Sequence, residues 1–118
     1  MTKPDLTHWL GKSIAVQIDR PKNSAHPDHP SLRYTVNYGF VPNTLAGDGE
    51  PIDAYVLGID EPVERFSGVV IAVIVRKNDS EDKLVVAPRE VEFSDAEIEA
   101  AVAFQERYFE TVLRRKCH

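Results

Sequence analysis

The stretch YTVNYGFVPNTLAGDGEPIDAYV, residues 34–56, decides both the fold and the chemistry of this chain. An aromatic-rich strand candidate is followed by a loop rich in Pro and Gly, and a second strand candidate begins at Ile52. Three carboxylates, Asp48, Glu50 and Asp53, lie within six residues of one another at the start of that second strand. This arrangement puts oxygen ligands at the rim of a sheet and predicts a metal and phosphate site.

An ordinary turn competes with the metal-site interpretation of this loop. Asp-Gly is a common turn dipeptide, and on the pattern alone the turn is the favoured interpretation of Asp48-Gly49. It does not explain Asp53, which is a charge on an otherwise apolar strand. An EF-hand does not fit, because Ile59 stands where that loop needs a bidentate glutamate. Carboxylates without His or Cys between them suit a hard cation such as Mg²⁺.

Composition limits the class of protein. A chain of 118 residues that is 42% hydrophobic and 28% charged predicts a single soluble domain, residues 1–118. Its longest apolar run, residues 69–75, is too short for a membrane span, and the N-terminus lacks the apolar core of a signal peptide. Cys117 is the single cysteine, which excludes an internal disulfide. The net charge of −5 argues against nucleic-acid binding. We therefore expect a cytoplasmic protein.

Five short strands followed by one helix are predicted. Alternation and turn residues indicate strands over residues 13–18, 32–40, 52–57, 68–75 and 83–87. Ser94 and Glu97 form a capping-box pattern, which predicts a helix over residues 95–113 with Gln105 as a polar exception on its apolar face. The predicted fold is mainly β with a C-terminal helix (α+β), a small barrel or curled sheet with the helix packed across it.

A second acidic cluster precedes the last strand. Asp79, Glu81 and Asp82 are followed at once by Lys83. Taken alone, the cluster is best interpreted as a solvated hairpin turn. If it lies at the same end of the barrel as the first cluster, the two could hold cations that bridge a polyphosphate, and the Lys83 ammonium would face phosphate oxygens.

Aromatic and histidine residues add candidates for substrate binding. Tyr34 and Tyr38 share one face of a strand, where core packing and a polar rim are both open interpretations. His26 and His29 lie in a Pro-rich loop near Arg33, and this loop is either an exposed connection or an anion-binding flap.

Four segments together resemble a known family. They are NYGFVPNT at residues 37–44, DGEPID at 48–53, EDKLVVAP at 81–88 and FQERY at 104–108. In this order they resemble the soluble Mg²⁺-dependent inorganic pyrophosphatases of the β-barrel type, of which this chain would be a short, divergent member. The resemblance implies a five-stranded OB-like barrel that hydrolyses pyrophosphate with Mg²⁺, or with Mn²⁺ as an alternative. A homo-oligomer is compatible with the family's habit.

The resemblance also implies roles for individual residues. Asp48, Asp53 and Glu81 match metal ligands, and Asp79 is a further candidate ligand in a shortened loop. Glu50 matches the carboxylate that activates the attacking water. Tyr38, Lys83 and Tyr108 match contacts to phosphate or its metals, and Tyr34 matches another active-site tyrosine.

Several positions depart from the family pattern. Glu50 stands where the family has Asp, and Phe109 stands where it has Lys. The hairpin that carries a Lys-x-Glu pair is replaced by the shorter segment 20–33. Our hypothesis is that cationic or histidine side chains of this segment, Arg20, Lys22, His26, His29 or Arg33, partly replace the missing cations. Two alternatives stay open: hydrolysis of a larger phosphoanhydride such as a nucleotide diphosphate derivative, and a non-catalytic barrel that binds metal or nucleotide.

Overall fold

The computed structural model describes residues 3–47 and 49–116, so the predicted ligand Asp48 and Cys117 lie outside the described residues. A short 3₁₀-helix comes first, followed by strands, one α-helix and a last strand. The elements are the 3₁₀-helix Thr7–Trp9, β1 Ser13–Arg20, β2 Asn37–Val41, β3 Ile52–Val56, β4 Arg65–Arg76, β5 Lys83–Ala87, α1 Asp95–Glu106 and β6 Thr111–Arg114.

The first five strands close into a barrel. Their order is β1-β2-β3-β5-β4, and β1 also pairs with the first part of β4, which closes the sheet on itself. All pairs are antiparallel except β3 and β5, which run parallel. The strand β6 pairs with the last part of β4, from Val73 to Arg76. The prediction of a mainly β fold, a small five-stranded OB-like barrel with a C-terminal helix, is confirmed.

Two apolar clusters lie on opposite faces of the sheet. The first contains residues of all five barrel strands, including Val16, Ile52 and Leu84, and it also buries Leu6 of the N-terminal segment. The second lies between the sheet and α1 and contains Tyr55 and Ile98. Because β3 and β5 are covered on both faces, both strands are almost wholly apolar, as buried parallel strands are.

Gly39 lets β1 approach β2 closely. A Cβ atom at this position would lie 1.9 Å from the Gln17 carbonyl oxygen, so no larger residue fits without moving β1. The pairing of β1 with β2 shifts between Ile18 and Arg20, which is the irregularity of a β-bulge. The space beside Gly39 is therefore filled by the backbone of β1.

The predicted helix over residues 95–113 is too long. The capping box of Ser94 and Glu97 is present, but α1 ends at Glu106. The chain then turns and continues as β6, whose first residues Thr111 and Val112 are β-branched and favour a strand. Pairing with the free edge of β4 thus outweighs the helical spacing of the sequence, and Tyr108 lies in the turn and not on the helix.

Two strands begin three or more residues away from their predicted starts. The predicted strand 32–40 begins only at Asn37, whose buried side chain accepts hydrogen bonds from the Lys22 and Val63 amides. Residues 23–34 form a separate narrow hairpin, here called the histidine hairpin, with a bridge between Ala25 and Arg33. The strand predicted over 68–75 extends to Arg65–Arg76, because its first residues pair with β1.

Within the described chain, no helix is long and apolar enough to cross a membrane.

Candidate active site

Lys83 stands at the centre of a polar cluster at one end of the barrel. The residue is 3% exposed, and its ammonium donates hydrogen bonds to the Tyr38 hydroxyl at 2.8 Å and to Asp53 Oδ2 at 2.7 Å. It also donates to Glu81 Oε1. These three acceptors use all three N–H groups of the ammonium. Lys83 therefore gathers one phenol and two carboxyl groups around a single positive charge, here called the Lys83 cluster.

The parallel pairing of β3 with β5 places this cluster. Ala54 of β3 lies opposite Leu84 of β5. The residues before them, Asp53 and Lys83, therefore lie beside each other where two adjacent strands begin. Antiparallel β2 adds Tyr38, whose hydroxyl donates to Asp53 Oδ2 at 2.7 Å.

Electrostatics fix the protonation of the cluster. Burial opposes ionisation of Asp53, but hydrogen bonds with Glu81, Lys83 and Tyr38 and the Lys83 charge outweigh burial and lower the pKa of the Asp53 carboxyl. Burial, and then the Asp53 charge, raise the pKa of the Tyr38 hydroxyl well above its ordinary value. Tyr38 is consequently a neutral donor, and Asp53 is an ionised acceptor.

The Lys83 cluster is better suited to a cation than to a free anion. Two carboxyl groups face one ammonium, and that ammonium is fully hydrogen-bonded. The cluster therefore offers no excess positive charge to a phosphate. Carboxylate oxygens are the ligands preferred by Mg²⁺ and similar hard cations. Asp53 and Glu81 thus fit a divalent metal in chemistry. Among residues 3–47 and 49–116, no group of three or more His, Cys, Asp or Glu side chains is arranged to hold one.

A second buried charge cluster lies beside the first and surrounds Arg76. The Arg76 guanidinium binds both carboxylate oxygens of Glu106, at 2.9 and 2.5 Å, and it also binds Asp79 Oδ2 at 2.9 Å. The Phe109 ring covers it at 3.7 Å. Burial would lower the pKa of Arg76, but Glu106 raises it overall. The candidate metal ligand Asp79 is thus held by Arg76 in this second cluster.

Gln105 connects the helix to the tyrosines of the barrel. Its amide nitrogen donates to the Tyr55 hydroxyl at 2.6 Å, and its carbonyl accepts from the Tyr34 hydroxyl at 3.2 Å. The Tyr55 hydroxyl donates in turn to Glu106 Oε2 at 2.5 Å. The polar exception predicted on the helix is therefore a buried hydrogen-bonding residue, and Tyr34 is part of the core with its hydroxyl engaged by α1.

A cavity of about 600 Å³ opens above both clusters. The Lys83 cluster contributes Tyr38, Asp53 and Lys83 to its lining, and the histidine hairpin contributes His26 and His29. The structure thus brings both predicted histidines to the same cavity as the predicted phosphate-binding lysine. Tyr34 and Tyr108 line it as well, and 63% of Tyr108 is exposed.

Two residues predicted for catalysis or substrate binding lie outside the cavity lining. Glu50 is exposed on the loop 42–51 and is not among the described residues that line the cavity. Arg33 is exposed, and its guanidinium donates to the Asn23 carbonyl at 3.1 Å. Of the other cations proposed for this region, Arg20 lines the cavity, whereas Lys22 extends to the Asp60 carbonyl.

Two charged residues of the cavity lining, Asp19 and Arg76, are not predicted from the sequence as site residues. Asp19 lines the cavity beside Arg20, and burial raises the pKa of its carboxyl. Its signal is weak, because the β-bulge that turns this part of β1 toward the site cannot be read from the residues. Arg76 ends an apolar run and resembles an ordinary strand-terminal charge. Its burial depends on Glu106, which is 30 residues away in the chain.

Comparison with known proteins gives the family. Residues 11–112 match the family model described as inorganic pyrophosphatase. An inorganic pyrophosphatase of Mesorhizobium japonicum is 37% identical over 86 residues, which are 65% of this chain and 47% of that protein. One from Xanthomonas campestris pv. campestris is 35% identical over 91 residues, 69% of this chain and 49% of that protein. This chain spans about half the length of these curated relatives.

Solved structures agree in fold. The inorganic pyrophosphatase of Ehrlichia chaffeensis superposes with a TM-score of 0.68 at 22% identity, covering 98% of this chain and 91% of that one. That of Coxiella burnetii gives 0.64 at 22% identity, covering 90% and 86%. The fold and the Lys83 cluster define a small OB-like barrel with a carboxylate–lysine site. The chain belongs to the inorganic pyrophosphatase family, as its sequence motifs predicted.

Proposed function

We propose that this chain hydrolyses inorganic pyrophosphate to two phosphates with the help of Mg²⁺, or of Mn²⁺ as the alternative metal. The observation that carries the proposal is the Lys83 cluster: two carboxyl groups and a phenol around one buried ammonium at the start of two parallel strands. Family membership supplies the substrate, because the relatives are named inorganic pyrophosphatases.

Asp53 and Glu81 would hold the metal, together with Asp48. Asp79 could join them only after leaving Arg76, to which it is bound at 2.9 Å. When bound, the ion supplies charge neutralisation for the phosphoryl oxygens and Lewis-acid activation of the attacking water.

The remaining residues of the cluster position the substrate. Lys83 would exchange one of its carboxyl partners for a phosphate oxygen, as a compact point charge can. The neutral Tyr38 hydroxyl keeps Asp53 in place by its 2.7 Å hydrogen bond. Most of the rate enhancement in phosphoryl transfer comes from such positioning and charge neutralisation.

Glu50 is the proposed base for the attacking water. The side chain sits on the exposed loop 42–51, so this role requires the loop to bring the carboxylate to the cavity.

The proposed substrate contacts are side chains that line the cavity: Tyr34, Tyr108, His26 and His29. Arg33 would reach the substrate only after releasing the Asn23 carbonyl.

The test is phosphate release from pyrophosphate by the full chain with Mg²⁺ and with Mn²⁺, beside a chelator control. We expect metal-dependent release that falls at least about 100-fold in Asp53→Asn, because the carboxylate charge is lost while the shape is kept. Glu64→Gln, which neutralises an exposed carboxylate outside the cavity lining, should behave like the unchanged protein.

Two results would contradict this proposal. Folded protein that releases no phosphate with either metal would leave a non-catalytic barrel as the better interpretation. Full activity in Asp53→Asn would show that the Lys83 cluster is not the site.

The proposal includes a single domain, a cytoplasmic location and assembly into a homo-oligomer. The single cysteine is compatible with a reducing compartment, and the oligomer rests on the family resemblance. Light scattering on the purified chain tests the assembly directly.

A further inference from the structure

Four aromatic rings form one continuous wall of the cavity. Successive ring centroids lie 5.2 Å apart from His29 to His26, 6.0 Å from His26 to Tyr34, and 5.3 Å from Tyr34 to Tyr38. The His26 and Tyr34 rings are parallel within 6°. The wall, here called the aromatic wall, begins on the exposed histidine hairpin and ends at Lys83, which contacts Tyr38.

The cavity is large for pyrophosphate. Its volume of about 600 Å³ lies in the range of sites that hold drug-sized ligands, roughly 300–1,000 Å³. Pyrophosphate is two phosphoryl groups joined by one oxygen, so it would occupy the end near Lys83. The part of the cavity beside His26, His29 and Tyr108 would then face solvent.

The chemistry of that outer part does not match a second free phosphate. Lys83 is committed to Asp53 and Glu81. Arg76 is committed to Glu106 and Asp79, so its charge is already compensated. Arg20, the third cation of the lining, lies beside the Asp19 carboxyl and donates to the Tyr34 hydroxyl at 3.5 Å.

The histidine hairpin places two imidazole rings beside the cavity. His26 Nδ1 accepts a hydrogen bond from the Asp28 amide at 3.0 Å, so this nitrogen is not available to bind an anion. His29 and Tyr108 are both exposed, and both line the cavity. Unsaturated ring faces near solvent favour stacking with a planar group over binding of an anion.

From these observations we infer that the site accepts a nucleoside diphosphate, with its phosphates toward Lys83 and its base stacked on the outer end of the aromatic wall. The inference rests on the proposed function, since it uses the same reaction. The oxygen of water bonds to the terminal phosphorus, and the bond from that phosphorus to the bridging oxygen breaks. The bridging oxygen leaves with the nucleoside monophosphate. Orthophosphate is released, and the water protons pass to orthophosphate and solvent.

The experiment compares three substrates with the full chain and Mg²⁺: pyrophosphate, ADP and methyl diphosphate. Methyl diphosphate has the same anhydride and the same ester linkage as ADP but no ring. The readout is the ratio of kcat/KM for ADP to kcat/KM for methyl diphosphate. We expect a ratio of about 10 or more, since stacking of one base on an aromatic side chain supplies such a factor.

Variants of His29 test whether the kcat/KM ratio depends on the outer end of the aromatic wall. His29→Ala should bring the ratio close to one, and His29→Phe should restore most of it, because the ring and not its nitrogens carries the stacking. His8→Ala removes an exposed histidine outside the cavity lining and should leave the ratio unchanged.

The outcomes separate this inference from the proposed function. Turnover of pyrophosphate with a ratio near one overturns the base subsite and leaves pyrophosphate hydrolysis standing. If folded protein hydrolyses none of the three substrates, the proposed function fails, and calorimetry with Mg²⁺ then decides the subsite. Tighter binding of ADP than of methyl diphosphate, weakened by His29→Ala, supports the subsite, and equal affinities overturn it.

Discussion

The buried Lys83 ammonium holds together two carboxyl groups that we propose as metal ligands. It lies between Asp53 and Glu81, the proposed ligands of a divalent cation. A buried ion pair that loses one partner leaves an uncompensated charge, which is costly. The lysine therefore stabilises the two carboxyl groups before any metal arrives.

We predict that Lys83→Met destabilises the metal-free protein. The loss should be about 2–3 kcal/mol, below the cost for a fully buried pair because the Asp53 side chain is 27% exposed. Mg²⁺ should then raise the Tm of this variant more than it raises that of the unchanged protein, since the metal replaces the missing charge. Thermal unfolding with and without Mg²⁺ measures both effects.

Lys12→Met is the matched control, because Lys12 is exposed and lies beside the Trp9 ring. It should change neither the Tm nor its response to Mg²⁺. An equal or smaller Mg²⁺ response in Lys83→Met would show that Lys83 and the metal do not share the carboxyl groups.

The Tyr55 hydroxyl makes the folding stability of the protein fall at alkaline pH. Burial, and then the Glu106 charge, raise the pKa of its hydroxyl well above the ordinary value. A raised folded-state pKa means that the stabilisation is complete below the unfolded-state pKa of about 10 and is lost as the pH rises beyond it. At neutral pH the hydroxyl also satisfies Glu106 and Gln105.

Tyr55→Phe should therefore have two effects of opposite direction. At neutral pH we expect a loss of about 1–3 kcal/mol, because the buried partners lose a hydrogen bond. Between about pH 8 and about pH 11 the variant should lose less stability than the unchanged protein. Denaturant unfolding at several pH values measures both. Parallel pH curves for the two proteins would mean that Tyr55 does not titrate with folding.

At the scale of elements, the turn between β4 and β5 is held by the N-terminal segment. The Lys3 ammonium donates to the Arg76 and Asp79 carbonyls and to Asp82 Oδ1. Asp82 Oδ1 also accepts from the Arg76 amide at 3.0 Å. Leu6, which is 3% exposed, anchors the same segment in the barrel core. Residues 3–6 thus fasten the turn that carries Glu81 to the end of the barrel.

We predict that Lys3→Met loosens this turn without unfolding the barrel. Amide hydrogen exchange of residues 77–82 should become faster, while exchange in β3 and β5 should stay slow, because local opening draws on local contacts. The Mg²⁺ concentration needed for half-maximal activity should rise as Glu81 becomes less well placed. Lys116→Met, at an exposed lysine of the C-terminal segment, serves as the control. Unchanged exchange in the turn would show that Lys3 is not a constraint.

The elements divide into those that local sequence determines and those that distant contacts determine. β3, β5 and the start of α1 were predicted well, since alternation and a capping box act over a few residues. β6 is not predicted, because residues 111–114 form a strand only by pairing with the edge of β4. The histidine hairpin is not predicted either, although its bridge from Ala25 to Arg33 is local, because the Pro-rich segment between them shows no strand alternation.

The candidate site follows the same division. Tyr38, Asp53 and Lys83 are within motifs, and the structure does bring them together. Arg76 and Glu106 form their bidentate contact across 30 residues, and nothing in either local segment indicates the partner. Charge–charge contacts between distant segments depend on the packed fold, so they emerge only once the barrel is built.

At the scale of the whole molecule, barrel closure depends on close contact between β1 and β2. Gly39→Ala places a Cβ atom 1.9 Å from the Gln17 carbonyl oxygen, so β1 must shift. We expect a loss of about 1–3 kcal/mol, the usual cost of overpacking, and a lower cooperativity of unfolding because β1 also pairs with β4. Urea unfolding measures the midpoint and the slope. Ser67→Ala, at an exposed position of β4, is the control, and a Gly39→Ala protein as stable as this control would contradict the close approach.

The place of β5 in the barrel has a consequence for how the chain is made. β5 lies between β3 and β4, although it follows both in sequence. Until residues 83–87 leave the ribosome, β4, β1, β2 and β3 can form only an open sheet with two unpaired edges. Unpaired edges are templates for strands of other chains, so nascent chains on one messenger are most prone to co-aggregation during this interval.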